Sequence, residues 1–171
     1  MLGKKMETAL NDQVNAELYS SYLYLSMEAY FQSLSLKGFA NWMRCQAQEE
    51  LFHAMKMYDH IIERGGKVRL TSIEGPQIEW KSPLAVFEAT LTHEKKVTGL
   101  IDNLVDIAIE ERDHASNTFL QWYVGEQVEE EASADEVIQQ LKLMSDTSNG
   151  LFLMDRELAA RVFTMPAETE K

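Results

Sequence analysis

Glu50 and His53 stand three residues apart in Gln48-Glu49-Glu50-Leu51-Phe52-His53. On a helix, positions i and i+3 lie on one face, so a carboxylate oxygen and an imidazole nitrogen can reach the same metal ion. Alone the pair is a weak signal, since many helices carry one on a solvated face. It gains weight from Glu17, Glu94, and Gln127 with Glu130, which lie in three other segments. A second acidic group adjoins the pair: Glu49 beside Glu50, and Glu126, Glu129 and Glu130 at i, i+3 and i+4. That group suits a third, looser cation where ions enter or leave. Tyr24 follows Glu17 by seven residues, on the same face. A phenol there can hydrogen-bond a ligand or give up an electron during an oxidation. Glu50 and Tyr24 are thus the candidate catalytic residues, and the carboxylates, His53 and Gln127 the candidate metal-ligating set.

The elements that must position these groups are helices. Segment 4–34 has no internal Pro or Gly, and its apolar residues recur at helical spacing through Leu10, Val14, Leu18, Tyr24 and Phe31. A short turn predicts that the second helix, 37–64, returns antiparallel beside it and stops at Gly65-Gly66. Its inner stripe is Phe39, Trp42, Gln46, Glu50, His53, Met57 and Ile61. Residues 67–81 break any helical period and are too long for a tight turn, so they form a crossover along the outside of a bundle. Ser82-Pro83 opens a third helix, 83–111, with Ser as N-cap and Pro at the first helical position. Its stripe reads Leu84, Phe87, Leu91, Glu94, Thr98, Ile101, Val105 and Ala108. Asp113 caps a fourth helix, 114–144, with the stripe Leu120, Tyr123, Gln127, Glu130, Ala134, Val137 and Leu141. Gly125 falls inside this helix, where close packing is the one reason to expect it. After a polar break at Ser145 to Gly150, a fifth helix spans 151–163 and ends at Met165-Pro166, leaving a frayed tail. The fold class is all-α: a four-helix bundle with a long crossover between the second and third helices and a short fifth, C-terminal helix. The whole of 1–171 is expected to be a single domain.

In antiparallel packing the helix midpoints share a depth, and these fall near residues 19, 51, 97 and 129. Glu17, Glu50 with His53, Glu94, and Gln127 with Glu130 all lie within about a turn of those midpoints, at inward positions that should be apolar. Burying even one unpaired carboxylate costs several kcal/mol, and like charges at close range add repulsion. Two or more divalent cations offset that cost. Carboxylate oxygens with one imidazole suit iron, manganese or zinc better than calcium or magnesium. Glu50 is the natural bridge, with Glu17 and His53 on one ion and Glu94 and Glu130 on the other. Gln127 is a weak ligand or a hydrogen-bond donor.

Singly, each residue has a plainer explanation. Glu17, Glu49 and Glu129 could be solvated charges, Tyr24 a satisfied core aromatic and His53 a core histidine. His60, His93 and His114 lack partners at ligand spacing and are structural or exposed; Glu111 and Glu131 are solvated; Cys45 is a small buried side chain. The coincidence of four helices, one depth and one inward phase favours the metal site. The chain has 171 residues and a formal net charge of −12, which argues against a nucleic-acid binder and suits a surface that attracts cations. One cysteine excludes an internal disulfide and fits a reducing cytoplasm. Met1 to Leu10 has no signal-type apolar run, and no apolar stretch approaches a membrane span.

Residues Leu10 to Tyr24 (LNDQVNAELYSSYLY), Gly38 to Met43, Gln48 to Ala54 (QEELFHA), Glu63 to Gly66, His93-Glu94 and Trp122 to Glu131 (WYVGEQVEEE) resemble the non-haem ferritins of bacteria and archaea. The likeness covers nearly the whole chain and fills every di-iron position of that family's pattern, together with its third-site cluster. The resemblance implies a ferritin-like bundle, a homo-oligomeric shell of twenty-four subunits, oxidation of Fe(II) by O2 or H2O2 at a di-iron centre, and storage of ferric mineral inside. It implies that the fifth helix lines symmetry channels. Bacterioferritins repeat Glu-x-x-His on the fourth helix, where this chain has Gln127-x-x-Glu130, so no haem is expected. Rubrerythrins add a cysteine-rich iron domain, which one cysteine excludes. The rival expectations are a shell that buffers metal without catalysis and a helical scaffold whose buried carboxylates are subunit contacts.

Overall fold

The structure, a computed structural model, describes residues 1–144 and 149–165. Residues 145–148 of the expected polar break, Pro166 and the tail 167–171 lie outside the described residues. Five helices organise the described chain: α1 Lys4–Ser33, α2 Lys37–Glu63, α3 Pro83–Glu110, α4 His114–Met144 and α5 Gly150–Leu158. α1 to α3 each end on a residue in the left-handed region, Ser35 (φ 60), Gly65 (φ 74) and Arg112 (φ 53). Each supports a backbone bond that closes the last turn, such as Gly66 N to Ile61 O at 2.8 Å. Ser82 caps α3 by accepting from the Ala85 N–H at 3.1 Å, with Pro83 at the first helical position. Asp113 caps α4 by accepting from the Ser116 N–H at 3.1 Å, and Arg64 at the end of α2 pairs with it at 2.9 Å.

Two apolar clusters fix how the helices run. One joins Leu23 to Phe31 of α1, Phe39 to Ala47 of α2, Val86 and Phe87 of α3, and Val137 to Leu141 of α4. The other joins Met6 to Val14 of α1, Met57 and Ile61 of α2, Val97 to Ala108 of α3, and Leu120 and Tyr123 of α4. Residue number rises along α1 and α4 and falls along α2 and α3 from the second cluster to the first. α2 and α3 are therefore parallel, which requires residues 64–82 to retrace the length of the bundle outside it. Most of that crossover is exposed, as expected. Asn11 fastens its start: the Asn11 amide donates to Lys67 O at 3.0 Å and its oxygen accepts from the Arg69 N–H at 2.5 Å.

Four expectations need correction. The buried stripe of α3 is Val86, Phe87, Thr90, Glu94, Val97, Ile101, Leu104, Ile107 and Ala108; Leu84, Leu91, Thr98 and Val105 flank it half-buried. α3 carries apolar residues on more than its inner face, so its periodicity can be traced at two neighbouring phases. Glu131 is half-buried rather than solvated, because Thr98 Oγ1 donates to it at 2.6 Å. Gly125 is exposed, and a Cβ there would meet nothing within 4 Å, so close packing within the chain does not account for it.

The fourth correction is that α5 ends at Leu158, not 163. Asn41 of α2 holds the chain at that end. Its amide nitrogen donates to the carbonyls of Leu158 at 3.3 Å and Arg161 at 2.9 Å, satisfying groups that an isolated helix end would leave to water. In return, Asp155 of α5 accepts from the N–H groups of Gly38 and Phe39 at 2.7 and 3.1 Å, capping α2. Gly38 makes this seat possible, since a Cβ there would lie 1.5 Å from the Asp155 carbonyl oxygen. Gly99, inside α3, has nothing within 4 Å of its Cβ position. Gly99→Ala should therefore stabilise the chain by about 0.5–1 kcal/mol, and Gly38→Ala should destabilise it by about 1–3 kcal/mol and unseat α5. Urea denaturation of the two variants checks both signs.

Candidate metal centre

Between the two apolar clusters every helix of the bundle contributes a polar side chain. Glu17, Glu50, His53, Glu94, Gln127 and Glu130 are all buried, Glu17 and Glu94 at 1 % exposure. Glu17, Glu50 and His53 each offer one donor atom, and these atoms lie within 4.8 Å of one another; among the described residues no other trio of acidic, His or Cys side chains gathers so closely. His53 Nδ1 is 3.6 Å from Glu50 Oε2. The Tyr123 hydroxyl donates to the His53 carbonyl at 2.8 Å, and Trp122 and Tyr123 meet the imidazole edge-on at 5.3 and 5.9 Å between ring centres. Gln13 donates to Glu17 Oε1 at 2.9 Å. Glu17 Oε2 is buried with no N–H or hydroxyl donor and has the Glu50 carboxyl beside it. A native core rarely leaves a carboxylate oxygen so placed, and a cation between Glu17, Glu50 and His53 would satisfy it.

Glu94, Gln127 and Glu130 form the other half. The Tyr24 hydroxyl donates to Glu94 Oε1. Gln127 Nε2 donates to the Glu94 carbonyl at 3.2 Å and to Glu94 Oε2 at 3.3 Å. Gln46 of α2 donates to Glu130 Oε2 at 2.5 Å and to Glu50 Oε1 at 3.4 Å, tying the two halves together. Gln127 thus stands as a donor rather than as an oxygen aimed at an ion.

The acidic group beside the centre is less gathered. Glu49, Glu126, Glu129 and Glu130 line a cavity of about 160 Å³ with Phe52 and Arg161. Glu129 is exposed, and Glu49 and Glu126 are half-buried. Glu49 is already engaged: Arg161, from the segment after α5, bonds its Oε2 at 2.5 Å while lying over the Trp42 ring at 4.3 Å.

Burial dominates the electrostatics. It raises Glu17 to about 8, with the Glu50 charge adding to the effect. It raises Glu130 to about 8 and Glu94 to about 7, and pushes Glu50 well above the ordinary carboxylate range with help from Glu94 and Glu130. The same burial, beside Glu94, pushes the Tyr24 phenol up, so it stays a hydrogen-bond donor. Each central carboxyl is a latent anion that a divalent cation would ionise.

Gln13, Gln46, Tyr123, Thr98 and Arg161 were not singled out in the sequence. Gln46, Tyr123 and Thr98 fall in the inner stripes traced from the sequence, whereas Gln13 and Arg161 carry no such signal. His60 and His93 have structural partners, Ser116 Oγ at 3.2 Å and Ser20 Oγ at 2.8 Å, and His114 is exposed. Cys45 is buried and free.

Residues 7–144 match the ferritin family, described as a ferritin-like domain. The bacterial non-heme ferritin of Bacteroides fragilis (strain 638R) is 45 % identical over 161 residues, covering 94 % of this chain and 100 % of that one. The bacterial non-heme ferritin of Staphylococcus saprophyticus is 44 % identical over 163 residues, covering 95 % and 98 %. Among solved structures, an engineered closed form of the Archaeoglobus fulgidus ferritin is 55 % identical with a TM-score of 0.94, covering 96 % of this chain and 100 % of that one. The open-pore ferritin of the same archaeon is 54 % identical with a TM-score of 0.94, covering 95 % and 100 %.

The raised carboxyls give the metal-free protein a defined pH dependence. A carboxyl raised by folding contributes stability that is fully present below its unfolded value near 4.5 and is lost as pH rises through its folded value, here about 8 for Glu17. Glu17→Gln removes that contribution to the slope. Between pH 5 and pH 8 (roughly the window those values set) the parent's Tm should therefore fall relative to that of Glu17→Gln, as read by metal-free thermal melts.

Proposed function

This chain belongs to the ferritin family, and from that premise we propose that it is an iron-storage protein with ferroxidase activity. The observation that carries this is the buried Glu17 Oε2, without an N–H or hydroxyl donor, beside Glu50 and His53, in a centre that gathers the carboxyls of Glu17, Glu50, Glu94 and Glu130. Glu17, Glu50 and His53 hold one Fe(II), and Glu50, Glu94 and Glu130 the other, with Gln127 bracing Glu94. Each Fe(II) gives up one electron. The pair reduces O2 with two protons to H2O2, or H2O2 with two protons to water. Shared ligation by Glu50 keeps the ions close enough to act together. The protons displaced from Glu17, Glu94 and Glu130 on ion binding are available at the same place. Tyr24 orients Glu94 through its hydroxyl and is a phenol in direct contact with a ligand, able to yield an electron.

Fe(III) binds carboxylates more tightly than Fe(II), so turnover needs an exit. Glu49, Glu126 and Glu129 with Glu130 form a third, looser site on that path. Ferric mineral collects in the hollow of a homo-oligomeric shell, twenty-four subunits by family likeness, in the cytoplasm. Among the described residues no helix is long and apolar enough to cross a membrane. Chain 1–171 acts as one ferritin-like domain.

Glu50→Ala removes a ligand from both ions. Its Fe(II) oxidation in air, followed by ferric absorbance in a stopped-flow instrument, should slow by more than about 100-fold, beyond the loss typical of an outer-shell partner. An unchanged rate sinks the ferroxidase assignment and leaves metal buffering. Zn(II), which has no redox chemistry, isolates the binding step. Because the folded carboxyls hold protons at neutral pH, Zn(II) uptake at pH 7 should release about one proton or more per ion. Calorimetry in buffers of different ionisation enthalpy counts them.

A further inference from the structure

Thr98 lies on α3 one turn beyond Glu94, and its hydroxyl has three neighbours. Glu131 Oε1 is at 2.6 Å, the Glu94 carbonyl oxygen at 3.1 Å and Gln127 Nε2 at 3.3 Å. A hydroxyl carries one proton. The carbonyl and the carboxylate can only accept, and the carboxylate contact is the shorter, so the proton goes to Glu131. The Thr98 oxygen is then free to accept from Gln127. Gln127 Nε2 faces three acceptors on α3: the Glu94 carbonyl, Glu94 Oε2 and Thr98 Oγ1. A flipped amide would set its oxygen against the Glu94 carbonyl, which cannot donate. One chain therefore runs from the surface inward, Glu131 to Thr98 to Gln127 to Glu94. Its outer members line an open groove of about 320 Å³ between α3 and α4.

We propose that Thr98 and Glu131 are positioning residues, which lock the Gln127 amide nitrogen against Glu94 and so hold that carboxylate for the second metal ion. Glu131 keeps the Thr98 proton off the Glu94 carbonyl, which leaves that carbonyl to Gln127. Tyr24 grips the other oxygen of Glu94. Glu94 is thus fixed from two sides by neutral donors before any ion arrives. This rests on the two-ion assignment above. It adds that the half of the centre built on α3 and α4 is tuned from outside.

The test is Zn(II) calorimetry on the full-length protein, reading the two ion affinities separately. Thr98→Val keeps the side-chain volume and removes the hydroxyl. It should weaken the second ion by about tenfold, within the range typical of outer-shell partners, and leave the first unchanged. Thr98→Ser restores the hydroxyl and should recover parental affinity. Glu131→Ala should weaken the second ion in the same sense, whereas Glu131→Gln, whose amide oxygen still accepts from Thr98, should stay near the parent. In a Gln127→Leu background, Thr98→Val should cause no further loss, because no amide remains to orient. Equal weakening of both ions, or full additivity with Gln127→Leu, overturns the proposal in favour of a packing role. A weakened Gln127→Leu beside an unaffected Thr98→Val overturns the proposal alone. A parent that binds a single Zn(II) overturns the two-ion assignment and the proposal with it.

Discussion

The bundle is built around a cost: several carboxyl groups crowd its buried centre, where each is expensive to ionise. Uncompensated, such burial would rival the whole stability of a domain this size. Two features of the fold contain it. Apolar clusters on both sides, from Phe31, Phe39 and Phe87 at one end to Leu10, Ile61 and Ile101 at the other, supply the burial that keeps four long helices together. The groups that touch the carboxyls, Gln13, Gln46, Gln127 and Tyr24, are neutral donors. A lysine or arginine in those places would have cancelled the charge for good. Neutral donors fix the oxygens while leaving the negative charge to be claimed by a cation.

The two halves are unequal. Around Glu17, Glu50 and His53 an oxygen is left bare and the one nitrogen donor sits close by. Around Glu94 and Glu130 each carboxylate already carries a donor hydrogen bond. The α1–α2 side therefore keeps one fully buried oxygen without a donor, Glu17 Oε2, whereas both oxygens of Glu94 on the α3–α4 side already accept hydrogen bonds. Arg161 adds a third character beside Glu49, where a guanidinium of the chain itself occupies a carboxylate that belongs to the adjoining acidic cavity.

Much of this was legible in the sequence, for identifiable reasons. Glu17, Glu50, Glu94 and Glu130 stood out because each interrupts an apolar stripe at a position that must face inward, and short turns set their common depth. The phase of α3 was less readable, because its apolar residues spread past one face and admit two traces. The amide and hydroxyl partners were harder to read: Gln13 has no spacing signature, and Gln46 and Thr98 fall in the stripes without showing what their hydrogen bonds meet, which only the packed neighbour reveals. Arg161 and the early end of α5 were hidden for the same reason. They depend on Asn41, Trp42 and Glu49, more than a hundred residues away in sequence.

The long crossover also orders events in time. α1 with α2, and α3 with α4, are hairpins joined by short turns, so each can form from local contacts. The bonds that complete the centre join residues 70 to 84 positions apart, such as Tyr24 with Glu94 and Gln46 with Glu130. Long-range contacts of this kind form late, after the entropy of closing the large loop has been met. Docking of the hairpins is also the step that strips water from the carboxyls. The centre is thus the last part of the molecule to assemble, and a nascent or half-folded chain presents no gathered set of carboxyls to a cation.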